Sequence, residues 1–314
     1  MKRGSLAPVL AVALGVALAS RGVRADDVDV AAKNETCAMR ISVAITGEAP
    51  TATLLASADP QSQVPTLLKS EQFREKFARF INATYNRSPA DEPGGDAPYY
   101  LTKHILERGK PWKDLFVGPY DLQQDDEGNV TITDNPEGLG YFRSRKWLQR
   151  YAGNELEGLK ISTAYHMLQN TIGLKLVAVT NEPNVDVSAK GRANQPCAGC
   201  HKDPWYALDK LATVLTRRDD DANSDEIEFK APEGGPQTVL GGITVKDDKE
   251  LVTALVNSDA FKFRQCRLAF NYLYGRDENL CEGPIFDTCM QAYGAQGTIE
   301  SALGAVAQNK AFCE

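Results

Sequence analysis

Two thiols three residues apart, followed at once by an imidazole, stand at Cys197-Ala198-Gly199-Cys200-His201. On one helical turn, each sulfur can bond one vinyl-derived carbon of a porphyrin while the next side chain rises beneath the ring to ligate iron. The pattern therefore predicts one covalently attached haem c, with Cys197 and Cys200 as tethers and His201 as the proximal iron ligand. Two other chemistries use such a pair of thiols. A zinc site needs a second C-x-x-C, and the remaining cysteines are scattered; a redox dithiol needs a β-α-β setting, which does not surround this motif.

The opposite face of the iron decides between carrier and catalyst. A methionine there raises the reduction potential, a histidine lowers it, and an open site admits peroxide or diatomic ligands. Met290 is the first distal candidate because it is the sole Met or His after His201, and His166 and Met167 come next. Packing is the ordinary use of each of these residues and competes with ligation. His104, on a half-apolar helical pattern, is read as a packed residue. With three histidines in the whole chain, a protein-only zinc or copper centre is not expected. No catalytic Ser-His-Asp pattern and no phosphate-cradling glycine loop occurs.

The motif needs elements to hold it. Leu67, Leu68, Phe73, Phe77, Phe80, Ile81 and Tyr85 recur at spacings of three and four, which predicts one apolar helix face from Thr66. A second helical pattern runs through Tyr99, Leu101, Ile105 and Leu106 to Gly109. The stretch Asp121 to Asn135 alternates around a polar turn and predicts a small hairpin; its acidic residues lack the ligand spacing of a calcium loop. Residues Leu139 to Leu176 read as two helices leading to the haem, the second carrying His166 and Met167. After His201, Trp205, Tyr206, Leu208 and Leu211 offer a wall for a porphyrin, and Arg217-Arg218 offer charge for its propionates. Gly234-Gly235 and Gly241-Gly242 bracket a strand-like piece before the last helices. By contrast, Met39, Ile41, Val43 and Ile45 alternate as a short strand would, and prolines follow at 50, 60 and 65.

The chain opens with Lys2 and Arg3, an apolar run from Leu6 to Ala19 and small residues at Ala17 to Ala19 and Val23 to Ala25. This is the pattern of a secretory signal peptide, cut after Ala19 or Ala25. The run is shorter than the roughly 20 residues of a membrane span. Export suits thioether attachment and places the protein in the periplasm or outside the cell. In an oxidising space Cys37, Cys266, Cys281, Cys289 and Cys313 are expected to be bridged. Four of the five lie near the C-terminus, so two disulfides stapling that segment are expected, with Cys37 unpaired or reaching back across the chain. Removing the four basic side chains of residues 1–25 takes the formal charge from −7 to −11. Such a surface repels nucleic acid and anionic lipid and attracts a basic partner; equally, an acidic excess serves simply to keep a secreted protein soluble.

Leu251 to Ser258, Phe263-Arg264-Gln265-Cys266, Tyr272-Leu273-Tyr274-Gly275-Arg276 and Ser301 to Phe312 resemble the C-terminal module of large, mostly uncharacterised exported cytochrome proteins of planctomycetes and myxobacteria. His201-Lys202-Asp203-Pro204, Leu208-Asp209 and Trp112 to Phe116 are similar to further segments of those proteins. The resemblance runs from about residue 66 to 314. The chain departs from the family in being short and in lacking a proline-rich run before the haem. What the resemblance implies is a helical haem module and export, with no reaction beyond electron transfer.

The expected fold is mainly α, a helical cytochrome c-like haem domain with additional helices and a small β-hairpin. The expected division is a signal peptide (1–25), a weakly structured leader (26–65), a helical N-terminal domain (66–182) and a haem-bearing helical domain (183–314) with the stapled C-terminal segment. The expected function is single-electron transfer between redox protein partners, with no nucleic acid and no membrane span after signal cleavage. A haem enzyme of peroxidase type, a cytochrome subunit of an oxidoreductase, or a surface binding module with structural haem are the alternatives. A single C-x-x-C-H speaks against a self-contained dihaem peroxidase, whereas the residues outside the haem segment exceed what a minimal carrier needs and speak for an enzyme; a carrier is favoured.

Overall fold

The structure is a computed structural model that describes residues 25–86, 96–125, 127, 129–144, 147, 151, 161–177, 184–218, 229–232 and 234–314. The expected signal peptide lies outside these residues except for Ala25, as do most of the first helix expected after Leu139 and the side chains of Arg217 and Arg218.

The protein is mainly helical, as its patterning predicts. The principal helices are α1 (Ala25–Thr46), α2 (Glu71–Tyr85), α3 (Ala97–Arg108), α4 (Ile161–Ile172), α5 (Ala198–His201), α6 (Leu208–Thr213), α7 (Asp248–Val256), α8 (Asp259–Tyr274), α9 (Gly283–Gln296) and α10 (Ile299–Ala307). Local chemistry sets their ends. Ser70, Asp247, Ser258 and Thr298 each accept a backbone N–H of the first turn of α2, α7, α8 and α10, the usual work of an N-cap. Gly275 and Gly297 close α8 and α9 in the left-handed conformation, which costs a glycine little. The expected hairpin is present as β1 (Tyr120–Gln124) paired antiparallel with β2 (Val130–Asp134). Two further antiparallel pairs are β3 (Arg217–Arg218) with β4 (Phe229–Lys230) and β5 (Gln237–Val239) with β6 (Ile243–Val245).

One hydrophobic core contains side chains from α1, α2, α3, α4, α6, α7, α8, α9 and α10. It crosses the expected boundary between residues 182 and 183, so the two halves are not separate packing units. Trp112, fully buried, donates its Nε1–H to the Oε1 of fully buried Gln265 on α8 at 2.7 Å. Aromatic edges continue the join: Phe77 of α2 meets Tyr272 of α8 with ring centroids 5.0 Å apart, and Phe116 meets Phe261 at 5.3 Å. Arg143 donates to Asp248 of α7 at 2.8 Å across the same boundary.

Residues 26–65 correct the expectation of a weakly structured leader. Most of this segment is α1, followed by short helical turns at Ala52–Leu55, Pro60–Gln63 and Val64–Leu67. The helix buries Cys37, Ala38, Ile41 and Ile45, spaced by about one turn, and leaves Met39 and Val43 exposed. The alternation that suggested a strand is therefore a by-product, since Ile41 and Ile45 belong to both periods. The Ile45 carbonyl accepts the Tyr272 hydroxyl of α8 at 2.5 Å, and Arg40 lies over the Phe312 ring at 4.9 Å.

Cys37 of α1 is bonded to Cys313 and Cys266 of α8 to Cys289 of α9. The expectation of two bridges inside the C-terminal segment is thus half corrected. One bridge lies there, and the other ties the two ends of the described chain together because α1 packs on α8. Cys281 is an exposed free thiol. Among the described residues no helix is long and apolar enough to cross a membrane.

Candidate functional site: the Cys197 to His201 turn and its carboxylate

A run of local turns delivers the motif. Asp186 accepts the Ser188 backbone N–H at 2.9 Å, and Ser188 in turn caps a short helical turn, Ala189–Arg192, by accepting from the Gly191 N–H. Gly191 is required there by space, because a Cβ on it would stand 1.9 Å from the Asp186 carbonyl oxygen. The Asn194 carbonyl then accepts the Ala198 N–H at 2.9 Å, and the Cys197 carbonyl accepts both the Cys200 and His201 N–H groups at 3.0 and 3.1 Å. This single turn, α5, sets the two cysteines and the histidine on adjacent positions with Ala198 buried beneath them.

Cys197 and Cys200 are half-buried and free, bonded neither to each other nor to the other cysteines. The Tyr206 hydroxyl donates to Cys200 Sγ at 3.8 Å, a long contact to a weak acceptor. Partial burial, with the Cys200 sulfur beside it, raises the Tyr206 phenol above its ordinary range.

The imidazole is held from behind. His201 Nδ1 stands 2.7 Å from Asp209 Oδ2, and the Asp209 side chain is 8% exposed. Asp209 lies in the first turn of helix α6, which packs against α4 and buries Leu208 and Leu211. Arg192, equally buried, donates Nη2–H to Asp209 Oδ1 at 3.0 Å and Nε–H to both oxygens at 3.2 and 3.3 Å, while its Nη1–H reaches the Val187 carbonyl at 2.6 Å. Lys202 adds a cation 3.5 Å from Asp209 Oδ1. Burial works to raise the Asp209 carboxyl, but the hydrogen bonds and charge of Arg192, with His201 and Lys202, outweigh it and hold the group below its ordinary value. An ionised carboxylate can only accept, so His201 donates Nδ1–H to Asp209, and Nε2 is the ring nitrogen left for another partner.

Two free thiols and an imidazole on one turn are the donor set that a covalently attached haem would need. Among the described residues no group of three or more His, Cys, Asp or Glu that could hold a metal ion is found. A ligating histidine characteristically donates its second ring N–H to a carboxylate or carbonyl, and His201 does so. Cys197 and Cys200 would hold the porphyrin, and His201 Nε2 the iron.

The surroundings of the motif follow the expected wall only in part. Leu208 and Leu211 are buried and Tyr206 is half-buried, whereas Trp205 is 49% exposed and packs its ring edge-on against Tyr206. The hairpin of β5 and β6 is fastened to this segment by the Leu240 N–H, which donates to the Trp205 carbonyl at 2.8 Å.

The distal candidates fall in two places. His166 and Met167 lie on α4, the helix that packs against α6 directly after the motif. Met167 is buried in the core; His166 packs on the Tyr151 ring at 4.4 Å and its Nδ1 lies 3.1 Å from Gln169 Oε1. Met290 lies on α9, which packs against α8 and α10, and is partly buried against the core. His104 packs edge-on against Tyr120 at 5.1 Å, and burial, with Arg108 and Lys110 nearby, lowers its pKa. The sequence reading did not assign Arg192 or Asp209 to the site. Their link to His201 is tertiary, and no local spacing announces it.

Comparison with known proteins finds no match: no protein-family model, curated protein or solved structure is similar to this chain.

Proposed function

We propose that this chain is an exported monohaem c-type cytochrome that passes single electrons between redox proteins. The observation that carries the reading is the pairing of two free, half-buried thiols with a histidine whose Nδ1 is engaged by a buried carboxylate. Cys197 and Cys200 would tether the porphyrin, His201 would bind iron through Nε2, and the bound haem would supply a one-electron couple. Around it the chain's own residues would orient and shield: Asp209 fixes the imidazole, and Tyr206, half-buried beside Cys200, would cover one side. The two disulfides, which persist in oxidising compartments, and the apolar N-terminal run support export. The acidic balance of the chain suits basic redox partners.

Pyridine haemochrome analysis of protein produced with haem maturation tests this directly. A c-type α-band, together with one titratable thiol in the denatured, unreduced protein, is expected, because four of the seven cysteines are in disulfides, two would be thioethers and Cys281 is free. Three titratable thiols and no α-band would reject the haem.

A haem enzyme is the second reading, and the Asp209 carboxylate favours it, since a more basic proximal histidine stabilises oxidised iron. Five-coordinate high-spin ferric iron supports the enzyme. Six-coordinate low-spin iron supports the carrier, with a sulfur-to-iron band supporting Met290 or Met167 as the distal ligand and its absence counting against both.

A further inference from the structure

The best-built polar cluster near the motif contains no cysteine. Arg192 and Asp209 are each buried to nine-tenths or more, and three donor contacts run from the Arg192 guanidinium to the two Asp209 oxygens. The remaining bond of that carboxylate to a side-chain ring goes to His201 Nδ1 at 2.7 Å. A pair of buried charges used for stability alone needs no third partner, and its desolvation cost often cancels its attraction. Here the third partner is the residue read as the iron ligand.

We propose that Asp209 is a positioning residue for His201: locked by Arg192, it fixes the imidazole with Nδ1 protonated and Nε2 free, and lends it anionic character that lowers the reduction potential of the bound haem. The inference rests on the haem reading above. Its physical basis is twofold. The guanidinium fork holds both carboxylate oxygens, so the direction of the acceptor toward Nδ1 is set before any haem binds. The carboxylate, although paired with Arg192 and Lys202, adds negative charge at the edge of the imidazole away from Nε2, which would favour the more positive, ferric state of a bound iron, and hydrogen bonding to a ligating histidine is a lever on potential. Lys202, 3.5 Å from Oδ1, sits on the oxygen opposite the one that faces His201 and leaves that contact intact.

The test uses the full chain matured with haem, as wild type, Asp209→Asn and Asp209→Glu. Three quantities are read: haem per chain, midpoint potential and melting temperature. Asp209→Asn keeps an oxygen that can accept from Nδ1 but removes the charge. At a fixed applied potential its ferrous-to-ferric ratio is expected to rise about tenfold, about 59 mV for a one-electron couple. Asp209→Glu is expected to restore most of the wild-type potential. A haem-loaded Asp209→Asn protein with a lower melting temperature and an unchanged potential overturns the proposal, because a structural role alone would do that.

Should Asp209→Asn yield no loaded protein, the wild type decides by proton NMR. A His201 Nδ1–H resonance protected from exchange supports the proposal, and one exchanging as fast as a solvent-exposed imidazole N–H overturns it. A wild type without thioether haem rejects the functional reading, and this inference with it; a haem-loaded wild type with an indifferent Asp209 rejects this inference alone.

Discussion

Gln265→Leu tests whether the two halves of the chain share one core. Gln265 lies at the centre of α8, fully buried, and its Oε1 is the acceptor for the Trp112 indole N–H at 2.7 Å. Leucine nearly matches glutamine in volume, so the packing term is small and the polar term dominates. The substitution leaves one buried donor orphaned, which costs about 2 kcal/mol. With a urea slope of about 3 kcal/mol per molar, the unfolding midpoint should fall by about 0.7 M. Trp112→Phe in the same background removes the orphan. The double variant should therefore be more stable than the sum of the single losses by about 1 kcal/mol, the signature of a direct contact. Far-UV circular dichroism and tryptophan fluorescence, followed together through the urea titration, should report one coincident transition in every variant. Two separated transitions, or a Gln265→Leu cost under about 0.5 kcal/mol, would refute the continuous core.

Other perturbations probe the remaining joints. Cys37→Ser/Cys313→Ser should destabilise more than Cys266→Ser/Cys289→Ser in denaturant titrations, since the bridges close separations of 276 and 23 residues, worth about 5.6 and about 3.4 kcal/mol by loop entropy. Gly191→Ala forces a Cβ onto the Asp186 carbonyl oxygen and should pull Arg192 from Asp209; a loss of about 2 kcal/mol in thermal or chemical unfolding checks this. Glu75 of α2 is pulled in two directions: burial raises its pKa, but Tyr99, Lys103 and Arg79 prevail and lower it. A depressed carboxylate contributes stability that is present above its unfolded value near 4.5 and lost as pH falls through the lower folded value. Glu75→Gln should therefore lose stability at pH 6 and match the wild type more closely with each step of acidification below pH 4.5, as read by urea midpoints.

Much of the helical frame was legible in the sequence because a single face decides it. Phe73, Phe77, Ile81 and Tyr85 are the buried side of α2, and they follow the three-and-four spacing from which the helix was expected. The hairpin of β1 and β2 was legible for the same reason, its period being two. The α1 segment misled because Ile41 and Ile45 satisfy both periods, and the deciding partners, Tyr272 and Cys313, lie more than 220 residues away. At the site, the C-x-x-C-H spacing was plain, since its geometry closes within one turn. The Arg192–Asp209–His201 arrangement was not, because its members stand on three separate turns, Ala189–Arg192, α5 and α6, that meet only in the folded chain.

The bridge between Cys37 and Cys313 also sets an order of events. A chain is made from its N-terminus, so α1 emerges with its apolar face and its thiol while Tyr272, Phe312 and Cys313 do not yet exist. Through that interval Cys37 lacks its native partner, and premature oxidation would be free to pair it with another thiol such as Cys197 or Cys200. A chain halted before Cys313 would lack this bridge, and α1 would be held to α8 by its packing and by the Tyr272 hydroxyl alone.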